Sequence, residues 1–263
     1  MHVDEIFERG RLPLFERLAG HAAGAGLRTY ATLSTVDASA DTQRKRLDPL
    51  IDVRSHHGYT FEWWLVRGGT PAKLLQELRT SGDLAWFYHN ERGTYFTGRW
   101  ARLVNGLYLW ASPFSSHVTW TYQAFEEHPL NDRDGRNHDF GMAFPDPDDP
   151  GVLMPTRGWT ALAEGFDDLR YLAALEVAIV RWGPGAPEVA QRARTYLDQL
   201  RADVMRVPGG VDSKRLMAKV GTRDEAPLLD SLANRYDDAA LALVRSRVEE
   251  YIHALEVAGA SAR

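Results

Sequence analysis

The sequence predicts an α/β fold: a partial (β/α)8 TIM-type barrel of about five parallel strands, followed by a C-terminal helical segment. Three observations carry this expectation. Through Phe114, short apolar and aromatic runs alternate with amphipathic stretches, the pattern of βα units on a parallel sheet. Each run ends at, or just before, a polar or aromatic residue, at the edge where α/β barrels collect functional groups. Beyond residue 155 the periodicity is helical.

Taken in order, VDEI reads as a first strand ending on Asp4 and Glu5. In RLPLFERLAGHAAGAG, Leu12, Phe15, Leu18 or Ala19, and Ala22 share one helical face, and Gly24 and Gly26 supply the stop. RTYATLS and LIDVRS are the next strands, ending at Ser34 and at Ser55/His56. A helix through PAKLLQELRTSG leads to LAWFYHNE, ending at His89, Asn90 and Glu91, and GLYLWASPF reads as a fifth strand, ending at Ser112. Residues 123–155 are dense in Asp, Pro, Gly and Asn and predict a long irregular loop.

The division expected is therefore 1–155 for the partial barrel and 156–263 for helices packing on it. In the first of these helices Trp159, Leu162, Phe166, Leu169, Leu172 and Val177 form the predicted inward stripe. Val189, Tyr196, Leu197, Leu200 and Val204 form the second stripe. A third helix, from about 227 to 257, turns Leu229, Leu232, Leu241, Val244, Val248, Ile252 and Leu255 inward. The segment between the second and third, PGGVDSKRLMAKVGTRDEAP, reads as a connection.

Composition narrows the chemistry. Net charge is −5 and the 31 Lys and Arg are scattered, so a nucleic-acid partner has no electrostatic footprint. No apolar run is long enough to span a bilayer, and the N-terminus lacks the basic-then-apolar layout of a secretion signal. With no cysteine, thiolate nucleophiles, disulfides and Cys-ligated zinc are excluded. No metal is expected: the His56–His57 pair diverges on extended chain, and His128 and His138 sit in no H-E-x-x-H helix. A calcium loop in NDRDGRNHDFG fails because Leu130 and Gly141 fall at its first and twelfth positions. No cofactor motif is present. Aromatic richness (8 Trp, 10 Tyr, 10 Phe) suits a large core or a carbohydrate cleft.

RGWTALAEGFDDLRYLAAL resembles the W-E-A-L-R-E-G-x-x-D-x-x-Y-L signature of the glycoside hydrolase family 123 catalytic domain, through Trp159, Ala161, Leu162, Glu164, Gly165, Asp168, Tyr171 and Leu172. RLVNGLYLWASPF, with Gly106, Tyr108 and Trp110, resembles that family's last barrel strand, LAWFYHNE the preceding one, and HVDEI the fourth. The resemblance covers residues 1 to about 180. It departs at Thr160, where an acidic residue is usual, and the family's N-terminal sandwich and first three barrel strands have no counterpart. It implies a β-N-acetylgalactosaminidase-like fold and activity, with carbohydrate as the partner.

Adjacent carboxylates can serve one substrate only where a strand ends and the backbone turns. The resemblance implies that Asp4 orients the 2-acetamido group and stabilises an oxazolinium ion, and that Glu5 is the general acid/base. Two close carboxylates push one pKa up, which keeps a proton on the donor. Glu91 offers a rival arrangement, in which Glu5 and Glu91 are acid/base and nucleophile of a two-carboxylate retaining enzyme. A third expectation is a non-catalytic, carbohydrate-binding remnant. Substrate-binding candidates are Trp110, Tyr88, Glu91, Tyr30 and His89; for Trp110, Tyr88 and Tyr30 the alternative is ordinary barrel packing, and for Glu91 a loop cap or a pair with Arg92 or Arg99. Trp63 and Trp64 read as core, and Asp167 and Asp168 as capping or salt-bridging groups. A homo-oligomer completing the sheet is expected from unpaired strand edges.

Overall fold

The structure is a computed structural model that describes residues 2–3, 12–33, 47–89, 98–119, 123–124, 140–141, 143–149, 151–209 and 227–261. Two compact units emerge. The first comprises Met1–Asn90, Pro113–Trp120 and Val207–Leu228; the second comprises Glu91–Ser112, Thr121–Arg206 and Leu229–Arg263. Among the described residues no helix is long and apolar enough to cross a membrane.

The first unit holds a five-stranded sheet: β1 (His2–Val3), β2 (Tyr30–Leu33), β3 (Val53–His57), β4 (Leu84–His89) and β5 (Ser116–Thr119). Its spatial order is the sequence order and every pair is parallel. The strand order never reverses, unlike that of a doubly wound sheet. The α/β class and the parallel sheet expected from sequence are therefore present.

Alternation along the strands separates the two faces. Ala31 and Leu33 meet Phe15 and Ala19 of α1 (Leu12–Gly24), together with Leu47 and Ile51, in a buried cluster. On the same face Phe114 gathers three rings: Phe61 at 4.7 Å, Phe87 at 5.6 Å and His56 at 5.8 Å between centroids. The N-terminal edge of the sheet is tied by polar groups. The Asp52 carboxylate accepts the Thr29 N–H at 2.6 Å, and buried Arg54 pairs with Asp83. That edge of an α/β sheet is where stability, not chemistry, usually resides.

Phe61 belongs to α2 (Gly58–Val66), a helix absent from the sequence reading. Phe61, Glu62, Trp63 and Leu65 are all buried, and a helix buried on several sides carries no amphipathic signal. α3 (Pro71–Ser81) follows the expected boundaries. The Thr70 hydroxyl accepts the Lys73 N–H at 3.2 Å at its start, and Gly82, at φ 77°, ends it in the left-handed region that glycine permits.

The second unit corrects the fifth expected strand. GLYLWASPF is not extended. α4 (Gly98–Leu103) runs into a π-helical turn over Val104–Tyr108 and a last turn at Leu109–Ala111. Residues 103–109 are all buried, so the apolar run that looks like a strand is a helix enclosed on all sides. The fifth strand is SHVT, a few residues later. Within 123–155 the loop contains two short antiparallel ladders, β6 (Gln123–Ala124) with β7 (Phe140–Gly141) and β8 (Ala143–Pro145) with β9 (Leu153–Pro155).

The helices that follow are α5 (Arg157–Trp182), α6 (Pro187–Val204), α7 (Pro227–Arg235) and α8 (Asp238–Ser261). The stripe predicted for α5 is rotated. Trp159, Phe166 and Val177 are exposed, and the buried side is Ala161, Gly165, Asp168, Leu172, Leu175 and Ala178. Small residues win that face because the neighbouring backbone comes so close. A Cβ on Gly165 would lie 2.5 Å from the Arg102 carbonyl oxygen. The third expected helix is two, broken at Tyr236–Asp237, with Leu241, Val248 and Leu255 buried at heptad spacing on α8. The expected connection before α7 lies mostly outside the described residues.

Candidate functional site

The C-terminal edge of the parallel sheet is the place where an α/β fold presents chemistry. Here β3 ends on His57, which pairs in register with Tyr88 of β4, itself paired with Val118 of β5. The His57 and Tyr88 rings meet edge to face with centroids 5.3 Å apart. One pleat below lie Thr32, Ser55, Trp86 and Ser116, aligned across four strands. Ser55 is wholly buried and its hydroxyl has no hydrogen-bond partner among the described residues. The sheet face away from α1 thus carries hydroxyls, an imidazole and aromatic rings, where simple packing favours branched aliphatics.

Several groups here were not singled out by the sequence reading. His57 rather than His56 reaches this face, because successive strand residues diverge and His56 joins the Phe114 cluster instead. The alternation within VRSHH is the signal that distinguishes them. Glu62, in the helix directly after β3, is a buried carboxylate whose Oε2 accepts the Leu228 N–H at 2.9 Å.

The residues expected at the site fall in different places. Asp4, Glu5 and Glu91 lie outside the described residues; Asp4 follows Val3, the last residue of β1, in the chain. Tyr88 is at the C-terminal edge, and the backbone of His89 closes β4 beside Thr119 of β5. Tyr30 is at the opposite end. It opens β2 in register with Val53, and its ring packs against Trp86 at 5.5 Å. Trp110 belongs to the second unit, on the helical turn after the π segment. Its indole N–H donates to Glu176 at 3.2 Å, and the Arg201 guanidinium covers one ring face at 4.3 Å. A stacking platform for a sugar would have to use the other face.

The helix signature is structural in what it does here. Asp168, 7% exposed, receives two guanidiniums: Arg102 through Nε at 2.6 Å and Nη2 at 3.1 Å, and Arg245 through Nη2 at 2.6 Å and Nε at 3.1 Å. The hydrogen bond to Asp168 raises the Arg102 pKa further above its usual value and outweighs the lowering effect of burial. Asp167 is exposed and pairs with Arg170. Both acids are thus salt-bridging groups, as expected from sequence. Among the described residues no group of three or more His, Asp or Glu is placed to hold a metal ion. No family model matches the chain, and no curated protein matches it.

Proposed function

We propose that this chain is the later part of a (β/α)8 barrel glycoside hydrolase acting on β-linked 2-acetamido sugars, with Asp4 and Glu5 as its acid pair. The observation that carries the reading is positional. The two carboxylates follow β1 in the chain, and β1 opens a sequentially ordered parallel sheet whose C-terminal edge bears His57 and Tyr88. The helix signature supports the same reading, because Gly165 and Asp168 serve a close helix joint that a related chain would need to preserve.

In this mechanism the acetamide carbonyl oxygen of the substrate attacks the anomeric carbon as Glu5 protonates the glycosidic oxygen. The C–O bond breaks and the leaving group departs as an alcohol. Asp4, ionised, accepts the acetamide N–H and stabilises the oxazolinium ion. Glu5 then takes a proton from the water that attacks the same carbon, so configuration is retained. Tyr88, half-buried at that edge with buried His57 packed against its ring, supplies a ring face for the bound sugar.

The test is binding of a thiazoline mimic of the oxazoline, paired with turnover of a chromogenic β-N-acetylgalactosaminide. Tight binding with turnover is expected. Turnover of a substrate lacking the 2-acetamido group, without thiazoline binding, would replace this mechanism by the two-carboxylate one through Glu5 and Glu91. Neither binding nor turnover would leave a non-catalytic remnant.

A further inference from the structure

A second site lies wholly within the helical unit. α6 and α8 border an open groove of about 690 Å³, which Tyr236 also lines. Its volume is within the range of small-molecule sites. Residues four apart line each wall: Arg192, Tyr196 and Leu200 on α6, and Arg247 and Tyr251 on α8. The Tyr196 and Tyr251 rings approach to 5.5 Å at an interplanar angle of 37°. Thr195 and Gln199 add uncharged donors and acceptors.

The charges in the groove are one-sided. Among the described residues no acid lines it, whereas two arginines do. Arg192 has no acidic partner among the described residues, and Arg247 is held only by exposed Glu250, one turn away at 2.9 Å. Asp203, the half-exposed partner of Tyr236, is already engaged by the Tyr236 hydroxyl at 2.8 Å and by Arg235 at 3.1 Å. The Tyr196 pKa rises through burial, and the positive charge of Arg247 works against that rise.

We propose that this groove binds a carboxylate-bearing saccharide of the uronic-acid type, at a site separate from the acid pair. Each ligand feature has a counterpart. The carboxylate pairs with Arg192 and Arg247, the ring hydroxyls meet Thr195 and Gln199, and one sugar face rests on a tyrosine ring. A neutral sugar leaves both arginines unmatched. An acidic peptide such as polyglutamate satisfies them but offers no ring face to the tyrosines. The proposal stands independently of hydrolysis by Asp4 and Glu5.

Isothermal titration of the full chain with tetragalacturonate tests it, with cellotetraose and hexaglutamate as controls. The expected result is saturable one-to-one binding of tetragalacturonate at least about tenfold tighter than either control, the scale of one charge-assisted contact. Arg192→Gln combined with Arg247→Gln should weaken that binding at least about tenfold, while the thermal midpoint stays put because both side chains are exposed. Asp4→Asn should leave it unchanged. No binding, equal binding of a control, or undiminished binding by the double variant would overturn the proposal.

Discussion

Gly106 and Gly165 meet backbone to backbone. A Cβ on Gly106 would lie 2.9 Å from the Gly165 carbonyl oxygen, a separation real side chains do not adopt. The π-helical turn and the long helix α5 therefore approach as closely as their main chains allow. Gly165→Ala would press against main-chain atoms of Arg102, which cannot swing aside. We expect a loss of about 1–3 kcal/mol in stability, read from the urea midpoint.

Asp168 is the electrostatic centre of the same joint. Asp168→Ala leaves Arg102, mostly buried, without its carboxylate and removes the anchor of Arg245. Breaking a buried pair from one side costs about 3–5 kcal/mol, more than an exposed pair such as Asp167–Arg170. Chemical denaturation of Asp168→Ala beside Asp167→Ala should show this contrast; equal effects would refute the assignment.

Tyr236 gives the helical unit an alkaline limit. Burial first, and then the hydrogen bond to Asp203, push its phenol above the ordinary value near 10. A raised folded pKa means the folded state holds the proton more tightly. That contribution is fully present below about pH 10 and is lost as pH climbs toward the folded value. Tyr236→Phe should cost about 1 kcal/mol at neutral pH through the missing hydrogen bond. Its deficit should shrink above pH 10, as followed by circular dichroism across a pH series.

Trp110→Phe keeps a ring but removes the indole N–H from Glu176 and weakens the Arg201 stack. A stability loss of about 1 kcal/mol is expected in thermal unfolding, without a change in glycoside KM. A raised KM at unchanged stability would restore Trp110 to a sugar-binding role.

For the proposed hydrolysis, Glu5→Gln removes the proton donor and should lower kcat on a poor leaving group by about 10²–10⁴-fold. An aryl leaving group that needs no protonation should recover much of the first step. Asp4→Asn should lower turnover even with such a substrate, because oxazolinium stabilisation is lost in both cases. Steady-state rates on paired substrates read this directly.

Periodicity revealed much of the sheet and little of the enclosed helices. RTYATLS, LIDVRS and LAWFYHNE were readable as strands because their flanks switch to helical or turn patterns at once. LVNGLYLWA and FEWWLV were not readable as helices, since residues buried on every side leave no polar stripe to count. On α5 the large residues Trp159 and Phe166 drew the inward face to the wrong side. The true face depends on how near another backbone comes, which no local pattern encodes. Of the site, Tyr88 was legible as a strand-end residue. His57 required the register, and the groove between α6 and α8 required the pairing of two helices distant in the chain.

The neighbour-by-neighbour arrangement of the sheet has a kinetic corollary. Each strand finds its partner between 23 residues away (Tyr30 to Val53) and 31 residues away (Val53 to Leu84), so no ladder waits for a remote segment. Closing loops of this length costs only slightly more entropy than closing shorter ones, although parallel pairing is itself slow. As the polypeptide leaves the ribosome, every new βα unit can dock on the one just completed, and the growing edge, rather than the finished molecule, is what a chaperone would meet.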